Sequence, residues 1–387
     1  MFRAIAGVAA VALAVSYAAG VSADTSFKSS LHDYRVVTVA DTLIQPWSIA
    51  FLPGGDMLVT ERPGRLRIVR QGKLLPQAVE GVPQVFHSSQ GGLLEVMPHP
   101  NFASNRLLYL SYSKPGATDA EARTALIRGR FENDRLVNVE QLFEAVAQGR
   151  NHFSGKIAFD KNGFLFLSLG DRQVPPEGKL EAHPAQDLTN HHGKIVRLHD
   201  DGRVPADNPF VKQAGARPEI WSYGHRNVQG LAIHPETGDI WANEHGPQGG
   251  DELNRIQPGR NYGWPVIGYG VNYTTGLAIH SGTMRQGMEQ PSSVWVPSIG
   301  ISGLMIYTGD KFPEWKGNLF IGGMAGQLVG RIRLQGQNVM EREDLVPRMG
   351  RIRDIRQGPD GFIYLVTDDR DGKPTPVLRM EPLARTR

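Results

Sequence analysis

The chain contains no cysteine, which excludes a disulfide framework and any thiolate metal site; a metal would have to be held by oxygen or imidazole ligands. It also lacks a tract of one charge, since 42 Lys and Arg residues are interspersed with 39 Asp and Glu for a formal net charge of +3. So mild a balance argues against nucleic acid as a partner, while a weakly positive field suits an anionic ligand. Beyond the N-terminus there is no apolar run long enough to span a bilayer. Extended 3.6-residue apolar periodicity is missing too, so few helices are expected.

The apolar N-terminus reads as a leader. Arg3 supplies a positive start, Ala4 to Ala19 form a run rich in Ala and Val, and Val21-Ser22-Ala23 has the small residues of a cleavage site. The run falls short of the ~20 residues that a membrane span needs. Residues 1–23 are therefore expected to be a secretory signal peptide and 24–387 the mature domain, periplasmic or secreted, with no membrane insertion.

What the chain has in quantity is turn residues, 45 Gly and 26 Pro, placed between short β-branched or aromatic runs. One pattern recurs six times: an apolar strand, a tight polar turn, a second apolar strand. Ile49-Ala50-Phe51 and Met57-Leu58-Val59 flank Pro53 to Asp56; Leu94-Glu95-Val96 and Leu107 to Leu110 flank Pro98-His99-Pro100; Ile157-Ala158-Phe159 and Phe164 to Leu167 flank Asp160 to Gly163. Leu231-Ala232-Ile233 with Ile240-Trp241, Leu304 to Tyr307 with Leu319 to Ile321, and Ile352 to Gln357 with Phe362 to Leu365 complete the set. Six blade-sized repeats predict an all-β fold, a six-bladed β-propeller of four-stranded antiparallel blades. A pair of β-sandwiches is the alternative, but it has no need of six similar hairpins. The longer insertions at 175–188 and 262–294 are expected as loops at one end of the ring, where sites usually lie.

Residues able to do chemistry fall at the strand ends between repeats. His152 precedes the third inner strand and Asp171 follows its partner, a pairing in which a carboxylate fixes the imidazole tautomer and leaves the other nitrogen free to take a proton. Arg226 and Asn227, before the fourth inner strand, put a guanidinium where charge grows on a carbonyl oxygen. The segment 243–254, Asn-Glu-His-Gly-Pro-Gln-Gly-Gly-Asp-Glu-Leu-Asn, is dense in oxygen donors and Gly. That composition favours calcium over zinc, because a Gly-rich turn can point carbonyls at a hard cation. Taken singly, each segment also reads as ordinary structure: a hydrogen-bonded histidine, a surface ion pair, an acidic turn.

Together, Pro46-Trp47-Ser48-Ile49-Ala50-Phe51, Gln90-Gly91-Gly92-Leu93-Leu94, His152, Leu169-Gly170-Asp171, Gly224-His225-Arg226-Asn227, Glu244-His245-Gly246-Pro247, Asn261 to Pro265 and Arg351-Ile352-Arg353-Asp354 resemble the soluble quinoprotein glucose and aldose sugar dehydrogenases. The resemblance implies pyrroloquinoline quinone (PQQ) and calcium as cofactors. It implies that His152 takes the anomeric hydroxyl proton of an aldose while hydride leaves C1 for the quinone, and that Asp171 orients His152. Gln90 and Asn227 are then contacts to sugar or quinone oxygens, Arg226 stabilises the reacting quinone oxygen, and Arg351 with Arg353 faces the cofactor's carboxylates. Gly246 and Pro247 are implied as carbonyl ligands of a calcium bound to the quinone, Glu252 and the Tyr262 carbonyl as ligands of a second calcium, and Tyr273 as a sugar contact.

One departure concerns Met324-Ala325-Gly326, which stand where the glucose-oxidising type has a quinone-facing lysine; their backbone amides are the expected replacement donors. This departure and the shorter chain place the resemblance nearer the aldose-oxidising branch. The electron acceptor is not specified, and monomer and homodimer both remain open. A propeller also hosts other functions, so a calcium-dependent lactone or ester hydrolase and a non-catalytic sugar- or protein-binding module stand as alternatives. The hydrolase leaves Arg351 and Arg353 without a task, and the binding module leaves His152 and Arg226 without one.

Overall fold

The computed structural model describes residues 25–383, so the expected leader at 1–23 lies outside the described residues. Each of the six hairpins read from the sequence forms the inner half of one antiparallel sheet. Their inner strands are Pro46–Phe51, Leu93–Pro98, Ile157–Phe159, Val228–Ile233, Ile301–Ile306 and Arg351–Gln357. Inner strands are buried on both faces, as in Ile301–Ile306, whereas an outer strand such as Asn338–Leu345 alternates between exposed and half-buried positions. This difference is why the inner strands read as continuous apolar runs. Helix is confined, among the described residues, to one turn at Phe102–Asn105 and short 3-10 segments. No described helix is long and apolar enough to cross a membrane.

Five sheets have four strands, and the sixth has five. That last blade is built from both ends of the chain: Tyr34–Ile44 pairs antiparallel with Pro374–Pro382, and Thr25–Phe27 adds an edge. The ring is thereby closed by backbone hydrogen bonds between segments more than 300 residues apart.

Between each pair of neighbouring blades lies an apolar cluster. Leu58 and Ile68 meet Leu93 and Val96 between blades one and two, and Tyr109 and Leu126 meet Ile157 and Leu167 between two and three. Phe166 meets Leu231, Trp241 meets Leu304, Tyr307 and Phe320 meet Ile352 and Ile355, and Tyr364 meets Ile49 around the rest of the ring. A single blade has no other place to bury its faces, so stability is shared among six similar interfaces.

Inside the ring, the inner strands and Lys156 just before the third of them bring four charges together. The Lys156 ammonium lies 3.0 Å from Glu95 and 3.0 Å from Asp354. Arg356 pairs with the same two carboxylates, and Ser48 donates to Glu95 at 2.7 Å. Burial opposes ionisation of Asp354, yet Arg356 and Lys156 hold its carboxyl below the usual carboxylate range. Removing one partner strands an uncompensated charge in a low-dielectric interior. Lys156→Met should therefore lower stability by about 3–5 kcal/mol, measured as a fall in the denaturant midpoint; an unchanged midpoint would show that the network carries no such weight.

Candidate active site

Antiparallel pairing places the start of each inner strand and the end of the strand after it at the same end of the ring. Predicted site residues come from these two positions in successive blades: His152, Asn227 and Arg351 from the first, Asp171, Gly246 and Met324 from the second. They gather around two adjoining cavities at that end.

The outer cavity, about 560 Å³ with its open mouth, is lined by His152, Asp171, Arg226, Pro247, Trp264 and Tyr273 and walled by Val174, Pro175, Pro176 and Ile279 from the two long loops. His152 Nδ1 sits 2.6 Å from Asp171 Oδ1. Because a carboxylate only accepts, Nδ1 carries the hydrogen and Nε2 keeps its lone pair. The second Asp171 oxygen accepts from the Trp264 indole at 2.8 Å, and the first also accepts the Gln173 amide at 2.8 Å. Burial works against ionisation of Asp171, but His152, Arg226 and these hydrogen bonds hold it below the usual range. For His152, burial lowers the imidazole's value and Arg226 and Arg172 add to this, with Asp171 opposing. The dyad at neutral pH is thus a neutral imidazole on an ionised carboxylate.

The backbone at His152 is tightly held. Its φ is +43°, its amide donates to Gln90 Oε1 at 3.0 Å, and its carbonyl accepts from Arg172. Gly170 passes so close that a Cβ there would lie 2.0 Å from the His152 carbonyl oxygen.

The inner cavity, about 820 Å³ with its mouth, lies over the Trp47 ring and is lined by Gln90, Asn227, Met324, Arg351 and Arg353. Several nitrogens in and beside it are buried without a hydrogen-bond partner, namely Nε of Arg226, Arg351 and Arg353 and Nε2 of His245, with Arg351 Nε in an ion pair at 3.7 Å from Asp368. Burial pulls Arg353 down to about 10, with Asp368 opposing and Arg62 and Arg351 adding repulsion. Unsatisfied buried donors of this kind are costly and call for an anionic, oxygen-rich ligand. Asn227 Oδ1 accepts from Ser154 at 3.1 Å and Gln229 at 3.0 Å, and Gln229 in turn accepts from Arg353 at 3.0 Å.

The structure corrects one expectation. The amides of Met324, Ala325 and Gly326 donate to the carbonyls of Gly300 and Ile299 at 2.8–2.9 Å, so they are not available to a cofactor. Met324 alone of the three lines the cavity, by its side chain, with Sδ 3.5 Å from Arg351. Ala325 and Gly326 close the turn instead.

Gly246, Pro247, Glu252 and Tyr262 line a third, smaller cavity of about 300 Å³, together with Glu244. A Cβ on Gly246 would meet the carbonyls of Gly250 and Gly249 at 2.3 and 2.4 Å, so only glycine permits this carbonyl-lined turn. Burial and the neighbouring Glu244 charge push the Glu252 carboxyl well above its usual range. Two carboxyl groups crowded together among backbone oxygens, one kept from ionising by burial and its neighbour, fit the donor set of a hard cation that would let both ionise. The Gly246 carbonyl also accepts from Arg226 at 2.7 Å and from the Tyr273 hydroxyl at 3.4 Å. Among the described residues no three His, Asp or Glu side chains gather in the manner of a side-chain metal cage.

The family described as Glucose / Sorbosone dehydrogenase matches residues 43–379. This chain belongs to that family. It is similar to aldose sugar dehydrogenase YliI of Escherichia coli strain K12, 43% identical over 356 residues that cover 90% of this chain and 93% of that one. Among solved structures, a glucose dehydrogenase superposes with a TM-score of 0.84 at 46% identity, covering 90% and 99% of the two chains. The PQQ-bound form of aldose sugar dehydrogenase from Streptomyces coelicolor superposes at 0.72 with 28% identity, covering 89% and 96%.

In this glucose/sorbosone dehydrogenase family member, sequence reasoning gave no role to several residues of the inner cavity, among them Arg62, Gln229, His245 and Asp368. Repeat phase held the signal for three of them, since Arg62, His245 and Asp368 end or follow the second strand of their blade, as Asp171 does. Trp264, which in the sequence stands only within the segment Asn261 to Pro265, fixes the carboxylate of the dyad through its indole.

The tight passage at Gly170 gives a sharp test. Gly170→Ala must push the His152 backbone aside, so the variant should melt at a lower temperature and, if His152 is a reacting group displaced by about 1 Å, turn over on the order of 10²-fold more slowly; an unchanged melting temperature with unchanged turnover would show that the passage does not hold His152.

Proposed function

We propose that this protein is a periplasmic or secreted quinoprotein dehydrogenase that oxidises aldose sugars at C1 to lactones, using PQQ and calcium. The observation that carries the reading is the adjacency of a neutral, carboxylate-oriented imidazole in one cavity to a cluster of guanidinium nitrogens without hydrogen-bond partners in the next. The dehydrogenase names borne by similar proteins agree with it.

The chemistry that bound PQQ supplies is acceptance of the hydride leaving the anomeric carbon, with calcium as its Lewis acid. The residues do the rest. The outer cavity holds the sugar against Trp264 and Tyr273, with O1 directed at His152. Nε2 of His152 takes the O1 proton as the C1–O1 double bond forms, and Asp171 steadies the resulting imidazolium without taking its proton. Arg226 stabilises negative charge at the junction of the cavities. Arg351 and Arg353 hold the anionic cofactor in the inner cavity, with Gln90 and Asn227 as polar contacts. Gly246 and Pro247 offer carbonyls to calcium beside it, and Glu252 with the Tyr262 carbonyl holds a second calcium. Residues 1–23 serve as the export leader, and turnover would need a separate electron acceptor.

The decisive assay follows dye reduction by glucose and other aldoses after addition of calcium and PQQ. Turnover that needs both additions supports the reading, and lactone hydrolysis without the quinone would replace it with a hydrolase. His152→Ala should abolish turnover while quinone binding persists. Since the neutral imidazole is the active form, wild-type kcat should be flat at neutral pH and fall only below the ordinary histidine value of 6.5. Asp171 raises the His152 value, so Asp171→Asn should lower kcat by about 10²–10⁴-fold and move the acid limb to still lower pH. An acid limb that stays in place would detach Asp171 from the base.

Calcium should raise the melting temperature of the wild type by mass action, about 2.7 kcal/mol at 100 times its dissociation constant. Glu252→Gln should abolish most of that response. A full response in the variant would remove Glu252 from the ligand set.

A further inference from the structure

Arg62 lies just past the second strand of blade one, Met57–Glu61, the phase in the repeat that yields Asp171, His245 and Met324 in other blades. Its side chain reaches the inner cavity that Arg351 and Arg353 also line. The backbone is fixed on both sides, its amide donating to the Gln45 carbonyl at 3.0 Å and its carbonyl accepting from Leu93 at 3.0 Å. The guanidinium is fixed as well. Nε and Nη2 donate to the Gly91 carbonyl at 3.1 and 2.9 Å, and Nη2 also donates to Ser89. These carbonyls flank Gln90. Nη1 has no protein partner among the described residues.

The charge of Arg62 is answered only at a distance, by Asp368 across the cavity. Among the described residues no carboxylate pairs with it: Glu61 is taken by Arg65 and Arg67, and Asp368 lies nearest Arg351. Arg353 likewise contacts an amide oxygen and no carboxylate. Four guanidinium groups, those of Arg62, Arg351, Arg353 and Arg370, share the cavity with the two carboxylates of Asp368 and Asp369; an excess of positive charge, with Arg62 held rigid and its Nη1 free, is the arrangement expected where further negative charge arrives with the ligand. We propose that Arg62 is a third guanidinium for the cofactor, gripping one carboxylate of a planar tricarboxylate whose other carboxylates face Arg351 and Arg353. This rests on the quinoprotein reading, and PQQ, with three carboxylates, has the matching number of groups. Through its bonds to Ser89 and Gly91, Arg62 also links cofactor binding to the loop that places Gln90 on the His152 amide.

The test is equilibrium binding of PQQ to the calcium-loaded protein, followed by fluorescence quenching or calorimetry at several salt concentrations. Losing one charge-assisted contact predicts that Arg62→Gln binds about 10- to 100-fold more weakly and with a shallower salt dependence. Arg62→Lys keeps the charge but not the two-carbonyl grip, and should stay within about threefold of wild type while retaining its salt slope. Equal losses in both variants, with the salt slope unchanged, would reduce Arg62 to a loop support and overturn the proposal. Wild-type affinity in Arg62→Gln would overturn it while leaving the quinoprotein reading intact. Failure of the wild type to bind PQQ at all would instead remove that reading, and this inference with it.

Discussion

The pairing of Tyr34–Ile44 with Pro374–Pro382 is the constraint on which the rest of the molecule depends. Without it, blade six has no outer strands and its inner pair, Arg351–Gln357 with Ile363–Asp368, loses the cover that buries Ile363, Leu365 and Val366. Blade one would also lose the apolar face formed by Leu43, Tyr364 and Val377. The ring therefore closes as a unit, and closure brings Arg351 and Arg353 of the last blade to the same cavity as Arg62 and Trp47 of the first. Residues some 290 positions apart in the chain become neighbours at one mouth because two terminal strands share hydrogen bonds.

Two groups of charges lie at different depths of this ring, and they are treated differently. In the interior, Lys156 and Arg356 meet Glu95 and Asp354, two of each sign, so the protein supplies its own counter-ions. At the inner cavity, buried arginine nitrogens are left without hydrogen-bond partners. Desolvation with too few counter-ions is costly, and a chain that answers its charges in full in one place and only in part in another, where Asp368 and Asp369 face four arginines, concentrates that cost where a ligand can relieve it. The same desolvation acts on His152, lowering its value while Asp171 opposes, and the balance leaves the imidazole neutral but oriented.

Much of this was legible in the sequence. All six hairpins are where the apolar runs and Gly- or Pro-containing turns put them, because inner strands buried on both faces leave a pattern that no amphipathic helix imitates. His152 and Asp171 were legible as a pair from their positions at the ends of two successive strands. Closure of blade six was not, since the alternation in Tyr34–Ile44 announces a strand but not a partner more than 300 residues away. Nor was the fate of the amides at Met324, Ala325 and Gly326: they are spent on the carbonyls of Ile299 and Gly300, a contact that composition cannot reveal. Arg62 looked like one more scattered surface charge, and only the phase of the repeat distinguishes it from Arg65 and Arg67, which pair with Glu61.

The division between scaffold and loop has a consequence for how such a site can vary. His152, Asp171, Arg226, Arg351 and Arg353 stand at or beside strand ends, where ladder hydrogen bonds and close approaches such as that of Gly170 allow little movement. Val174, Pro175, Pro176, Tyr273 and Ile279, which wall the outer cavity, belong to the long loops after Asp171 and Tyr262, and Tyr273 is 64% exposed. Groups on strand ends hold their geometry to a fraction of an ångström, while loop residues tolerate exchange and insertion. On the proposed reading, the proton-transfer geometry is then common to every sugar that enters, and discrimination among sugars rests on the loop walls. Trp264 joins the two layers: it sits in the loop region, yet its indole holds the Asp171 carboxylate at 2.8 Å and its ring lies 5.2 Å from the Arg226 guanidinium. A change in the loops that moves Trp264 reaches the base through Asp171, whereas one confined to residues 174–176 or 272–279 alters what the cavity admits and leaves the dyad in place.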